Sequence, residues 1–164
     1  MTLRPWTLDD VPAMTAAVQD PEIPRWTEVP SPYGEDDARE FIGKLQSGEI
    51  AELALAIVDA ADGALLGSVG LRLPQSSVGE IGYWVAASAR GRGVAPRAVR
   101  LLSAWAFDEY GYARIQIHTD PANAASQRVA ESAGFTREGV LRSYGVVKGE
   151  RIDIVMFSLL PGVL

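Results

Sequence analysis

The run Glu80-Ile81-Gly82-Tyr83-Trp84-Val85, followed by Ala89-Arg90-Gly91-Arg92-Gly93-Val94-Ala95-Pro96, decides how the rest of the chain is read. Ile, Tyr, Trp and Val suit a pleated, half-buried surface, so a strand is predicted over Val78–Ala86. The glycines that follow give a turn whose backbone can come close to another molecule. Pro96 then marks the start of a helix, where a missing N–H costs nothing. A strand, such a turn and a helix N-terminus together make an anion site, because free N–H groups and the positive end of the helix dipole converge there. Arg90 and Arg92 add positive charge to the same spot. The stretch is expected to hold a phosphorylated ligand.

Upstream of it, Leu53–Asp59 and Leu65–Leu73 read as strands joined by the hairpin turn Ala60-Ala61-Asp62-Gly63, and Pro74–Ser77 breaks the second of them. With the Val78–Ala86 strand they form a meander, which is antiparallel. Downstream, Pro96–Tyr110 is a helix with Val99, Leu102 and Ala106 on one stripe and Trp105 beside it. Ala113–Thr119 alternates Ile115 and Ile117 with Arg114, Gln116 and His118, the pattern of a strand. Reached through a helix, this strand is expected to lie parallel to the one before it. Asn123–Ala133 is a short helix closed by Gly134, and two strands follow, over Thr136–Val146 and Arg151–Leu160.

At the N-terminal side, Thr2–Trp6 is a strand and Leu8–Asp20 a helix, capped by Asp9 or Asp10, with Pro12 in its first turn. Pro21–Pro32 holds four prolines and is expected to lack regular structure. With Trp26 in it and Tyr33 beside it, this loop is a candidate wall or lid for a second ligand, or else a surface connection with its Trp tucked into the core. Glu35–Gln46 is amphipathic, with Ala38, Phe41, Ile42 and Leu45 at helical spacing. The sum is one mixed α/β domain over residues 1–164, with no repeat, linker or low-complexity tract.

Bulk properties narrow the function. A net charge of −6 argues against a nucleic-acid partner, since proteins that bind polyphosphate are usually basic. A basic turn in an acidic chain fits a small anion better. There is no cysteine, which removes disulfides, thiolate metal sites and a cysteine nucleophile. The single histidine, His118, rules out a multi-histidine metal centre, and no metal is expected. No signal-peptide core or membrane-length apolar run is present, so the expected location is cytoplasmic, with no membrane partner.

Three ligand classes use a glycine-rich turn before a helix. A phosphate-binding P-loop ends in Gly-Lys-Ser/Thr, which is missing here. A dinucleotide fold wants G-x-G-x-x-G after the first of several parallel strands, whereas here antiparallel strands come first. The third class is coenzyme A, whose pyrophosphate fits Arg/Gln-x-x-Gly-x-Gly/Ala, matched by Arg90-Gly91-Arg92-Gly93-Val94-Ala95. Taken with Glu80-Ile81-Gly82-Tyr83-Trp84, Asn123-x-x-Ser126 and Ala133-Gly134-Phe135-x-x-Glu138-Gly139-x-x-Arg142, the chain resembles the GNAT superfamily of acetyl-CoA-dependent N-acetyltransferases. Within it the likeness is greatest to the subgroup that acetylates the N-termini of ribosomal proteins.

That resemblance implies a mostly antiparallel sheet of about seven strands flanked by helices, with a V-shaped splay between the fourth and fifth strands. Pantetheine would lie in the splay like an added strand, bonded to backbone near Val85, beside Trp84, with its amide held by Asn123. The pyrophosphate would reach the N–H groups of Gly91, Arg92, Gly93, Val94 and Ala95, with Arg90 alongside. Acetyl transfer to an amine also needs a proton acceptor, an oxyanion donor and a donor for the leaving thiolate. Glu80 is the candidate base, directly or through a water, and a backbone N–H near Val85 the oxyanion donor. Many superfamily members carry a tyrosine where this chain has Ala130, so Ser126 takes its place as the candidate group at the sulfur. Asn123 and Ser126 also fit plain helix capping. Trp26, Tyr33, Arg142 and Tyr144 are the candidate acceptor-binding residues, while His118 reads as structural. The expected partners are acetyl-CoA and an amine, either a peptide or protein N-terminus or a small molecule, with a homodimer left open. The rival reading is an acyl-CoA-binding regulatory module without turnover.

Overall fold

Alternating apolar strands and two amphipathic helices leave little choice but a layered sheet, and the computed structural model, which describes residues 1–72 and 77–163, has one. Its strands are β1 (Thr2–Pro5), β2 (Glu52–Val58), β3 (Leu65–Arg72), β4 (Val78–Val85), β5 (Arg114–Thr119), β6 (Thr136–Val147) and β7 (Glu150–Leu159). Its helices are α1 (Val11–Ala17), α2 (Glu22–Trp26), α3 (Glu35–Ser47), α4 (Val94–Tyr110) and α5 (Ala124–Ser132). The seven strands form one sheet in the order β1-β2-β3-β4-β5-β7-β6. Every neighbouring pair is antiparallel except β4 and β5, which run parallel as a strand–helix–strand connection requires. The expected mixed sheet and meander are therefore present. Leu73 and the Pro74–Ser76 part of the break lie outside the described residues.

Each face of the sheet is covered separately. On one side α4 and α5 press Val99, Leu102, Ala106 and Ala130 onto Leu71, Ile81, Ile115, Ile117 and Phe157. On the other, α1 and α3 bring Met14, Ala38 and Ile42 against Trp6, Ala56 and Val58. Burying one such large side chain contributes about 1.5–3 kcal/mol, which is why the stripes on both helices outweigh weak local propensities. Within the Glu35–Ser47 helix, Ala38 and Ile42 are fully buried, whereas Phe41 and Leu45 pack at the edge of that cluster.

Two expectations fail near the N-terminus. Pro21–Pro32 is not free of regular structure, because α2 occupies Glu22–Trp26. Pro24 is its third residue, so the N–H it lacks is one that a helix start leaves unbonded anyway. Asp10 stands before α1 but makes no side-chain cap to it. Instead its carboxylate accepts both Arg4 guanidinium nitrogens at 2.7 Å, together with the Thr7 N–H at 2.9 Å. A buried carboxylate gains more from a bidentate arginine than from one amide, and that competition decides its orientation.

Candidate active site

The parallel pair is short. β4 and β5 meet only at Val78–Arg114, Gly79–Ile115 and Glu80–Gln116. Beyond Glu80, β4 keeps its partner β3 up to Val85 but, among the described residues, has no strand on its other side. The strands thus diverge into a wedge, at the place where the splay was expected. At the wedge's far end the chain turns through Ala87–Ala89 into Gly91 and Gly93, both left-handed at φ 72° and 70°, and enters α4 at Val94. A side chain at either glycine would be strained by that φ. Among the described residues nothing accepts a hydrogen bond from the N–H groups of Gly91, Arg92, Gly93, Val94 and Ala95. Five adjacent donors at the start of a seventeen-residue helix form an anion cradle.

Arginines shape this turn as well as charging it. Arg90 Nε donates to the Val85 carbonyl at 3.2 Å, and its NH1 meets Asp20 at 2.8 Å. Arg92 lies 3.5 Å from Asp59. Arg97, which the sequence did not single out, donates to the carbonyls of Gly93 and Arg92 and so ties the turn to the first turn of α4. Its signal was only a basic residue four positions after a glycine.

The opposite wall of the wedge is the N-terminus of α5. Asn123 Oδ1 accepts from the Ser126 N–H at 3.0 Å, so the capping role of this pair is present. Ser126 Oγ lies 2.8 Å from the Tyr83 hydroxyl, a contact across the wedge from α5 to β4. Burial pushes the Tyr83 hydroxyl up to about 12, against the smaller opposing effect of Ser126. The sequence places Tyr83 in the strand motif but gives it no role at the site.

On the far face of the sheet, Glu80 is half-buried, and each of its oxygens has a neighbour. Arg72 NH1 donates to Oε1 at 3.2 Å, and His118 Nδ1 stands 3.3 Å from Oε2. Burial holds His118 below the usual imidazole range and Glu80 pulls it back up, while Arg72 and Arg114 reinforce the lowering. Its buried Nε2 has no hydrogen-bond partner among the described residues, and its ring meets that of Tyr144 edge-on at 5.8 Å. His118, expected to be structural, therefore touches the candidate base. The alternation of β5 placed it on this face, but nothing local pointed to Glu80, thirty-eight residues earlier.

Glu52 stands next to Arg72 in the register of β2 and β3, and burial holds its carboxyl above the usual range. Glu80, His118, Glu52 and the wedge all open into one cleft of about 1860 Å³. Trp26, Tyr33, Trp84, Asn123, Ser126 and Tyr144 line it as well. Trp26 Nε1 donates to Glu22, and the Arg25 guanidinium sits 4.5 Å from the Trp26 ring centre. Trp84 stacks obliquely on Trp6 at 6.3 Å. Lys148, in the turn between β6 and β7, donates to the Pro24 carbonyl and ties the hairpin to α2. Arg142 is exposed and is not part of the lining. Among the described residues no group of three His, Asp or Glu side chains is placed to hold a metal ion, and no helix is long and apolar enough to cross a membrane.

The family described as "Acetyltransferase (GNAT) domain" matches residues 1–136. The uncharacterized N-acetyltransferase p20 of Bacillus licheniformis is 29% identical over 164 residues, covering 98% of this chain and 92% of its own. A Bacillus subtilis protein that carries the provisional name ribosomal N-acetyltransferase YdaF is 39% identical over 101 residues, 60% of this chain and 55% of its own. Spermidine N-acetyltransferase from Vibrio cholerae, solved in complex with CoA and spermine, superposes with a TM-score of 0.82 at 21% identity over 99% of this chain and 96% of that one. The wedge, the open amides and these matches agree with the likeness to the superfamily read from the motifs. The chain belongs to the GNAT family and is an acetyl-CoA-dependent N-acetyltransferase.

Proposed function

We propose that the enzyme acetylates the N-terminal α-amine of a peptide or protein, by direct attack of that amine on the thioester and through one domain spanning residues 1–164. The observation that carries this reading is the wedge between β4 and β5, which ends in five unbonded backbone donors and opens opposite Glu80. The pantetheine arm would run beside Val85 and Trp84 with Asn123 at its amide, and the diphosphate would rest on Gly91–Ala95 with Arg90 and Arg92 at its edge.

Glu80 then accepts the proton that the amine releases, held in orientation by Arg72 and His118. An α-amine, with a pKa of about 7.7–8.0, is partly neutral at pH 7 and asks less of a carboxylate base than a lysine at about 10.4. The cleft, at about 1860 Å³, has the volume to take a chain end, and Trp26, Tyr33 and Tyr144 offer aromatic surface on its lining. The name of the B. subtilis relative points the same way.

A small polyamine is the second reading, favoured by Glu52 and Glu80 facing one cleft with Arg72 between them. A screen with acetyl-CoA decides. Free-thiol release with peptides bearing open N-termini, and none with the same peptides blocked, is the expected result. Turnover of spermidine alone selects the second reading. CoA binding with no turnover on any acceptor returns the chain to a regulatory role.

A further inference from the structure

Ala130 leaves this chain without a tyrosine on α5, yet a tyrosine hydroxyl reaches that helix from elsewhere. Tyr83, on β4, extends to the first turn of α5 and stands 2.8 Å from Ser126 Oγ and 3.2 Å from the Ser126 carbonyl. Ser126 and Ala130 are four residues apart and share one face of α5, and the buried Ala130 lies in the cluster against which Tyr83 packs. The small side chain at 130 fits an arrangement in which the aromatic ring comes from the strand. Both residues line the cleft.

We propose that Tyr83 is a positioning residue for departure of the thiolate: its O–H donates to Ser126 Oγ and thereby turns the Ser126 O–H toward the sulfur. This rests on the wedge being the acetyl-CoA site. The pair has two proton arrangements. If Ser126 donates to Tyr83, Tyr83 donates to the Ser126 carbonyl and no proton faces the wedge. If Tyr83 donates to Ser126, one proton does. Negative charge on sulfur selects the second, because a hydrogen bond to an ion is roughly twice as strong as a neutral one and polarises the bond behind it.

Burial keeps the Tyr83 hydroxyl protonated throughout the working range, so it remains a donor. Neither hydroxyl has to ionise. The amine nitrogen forms its bond to the carbonyl carbon, the C–S bond breaks, and its electron pair stays on sulfur. Of the two protons an ammonium acceptor loses in becoming an amide, one ends on sulfur and the other in solvent. The hydroxyl pair stabilises the sulfur until it is protonated.

The experiment uses CoA itself as the probe. Calorimetry gives its affinity for the wild type, Tyr83→Phe, Ser126→Ala and the double variant. Ultraviolet titration of the bound thiol, with CoA disulfide as blank, gives its ionisation, and steady-state kinetics gives kcat. The expected result is CoA affinity within about threefold throughout, a bound thiol harder to ionise in either single variant, and kcat down about tenfold in each. The double variant should be no worse than the weaker single, as for two members of one chain. A thiol titration unmoved by Tyr83→Phe, or losses that multiply in the double variant, would overturn the proposal. Failure of the wild type to bind CoA would instead overturn the proposed function. Because each variant is read only through the CoA it binds, a misfolded protein is recognised as such, and Ser126→Ala tests the same contact from the other side.

Discussion

The two walls of the cleft were made in different ways. The turn proposed to face the diphosphate is a single run of chain, Arg90–Ala95, whose geometry follows from glycines at positive φ and from where α4 begins. The opposite side is a mosaic: Glu52, Arg72, Glu80 and His118 come from four successive strands and are neighbours only because the register makes them so. A contiguous wall tolerates a change at one point poorly in binding but little in chemistry. A mosaic wall should behave in the reverse way.

Two substitutions test that contrast. Glu80→Gln should lower kcat by about 10²–10³-fold while leaving CoA affinity unchanged, since it removes the proposed proton acceptor but no part of the turn. Unchanged kcat would take Glu80 out of the mechanism and leave the mosaic wall without its centre. Gly93→Val should weaken CoA binding by about tenfold, measured by calorimetry, because a β-branched residue at φ 70° costs about 1–3 kcal/mol or forces the amides to move. At saturating acetyl-CoA its kcat should stay within about threefold of the wild type.

The smallest effect belongs to Glu138, outside both walls. Arg114 donates to both of its oxygens at 2.6 Å and Ser158 to one at 2.6 Å, which holds its carboxyl at about 2. A carboxyl depressed in the folded state contributes stability above the ordinary value of about 4.3 and loses it as pH falls toward 2. Its side chain is 41% exposed, so solvent screening keeps the contribution to no more than about 1 kcal/mol. Urea unfolding at pH 5 and pH 3 should show Glu138→Gln flattening the pH dependence, with turnover unaffected.

The same contrast explains what could be read in advance. Strand alternation, helix stripes and the glycine turn are local, and the order of elements and the antiparallel meander followed from them, whereas the wedge was implied by the likeness to a family. The likeness to a family supplied Glu80, Asn123 and Ser126. Proximity across strands was not legible: His118 beside Glu80 and Tyr83 beside Ser126 depend on which face each strand turns outward and on how far β4 runs past β5. Asp10 and Pro24 were misread for a different reason. Each had a common local role, a cap and a breaker, that a partner or a position one turn away replaced.

A seam of three residue pairs joins β1–β4 to the remaining strands of the sheet. An occupant lying along the open side of β4 would supply the missing rungs, so saturation and folding become linked quantities. At a hundredfold excess over its dissociation constant such a ligand adds about 2.7 kcal/mol to the native state. The lifetime of this enzyme in a cell should therefore track the supply of its acyl donor, with starvation felt first as proteolysis and only later as lost catalysis.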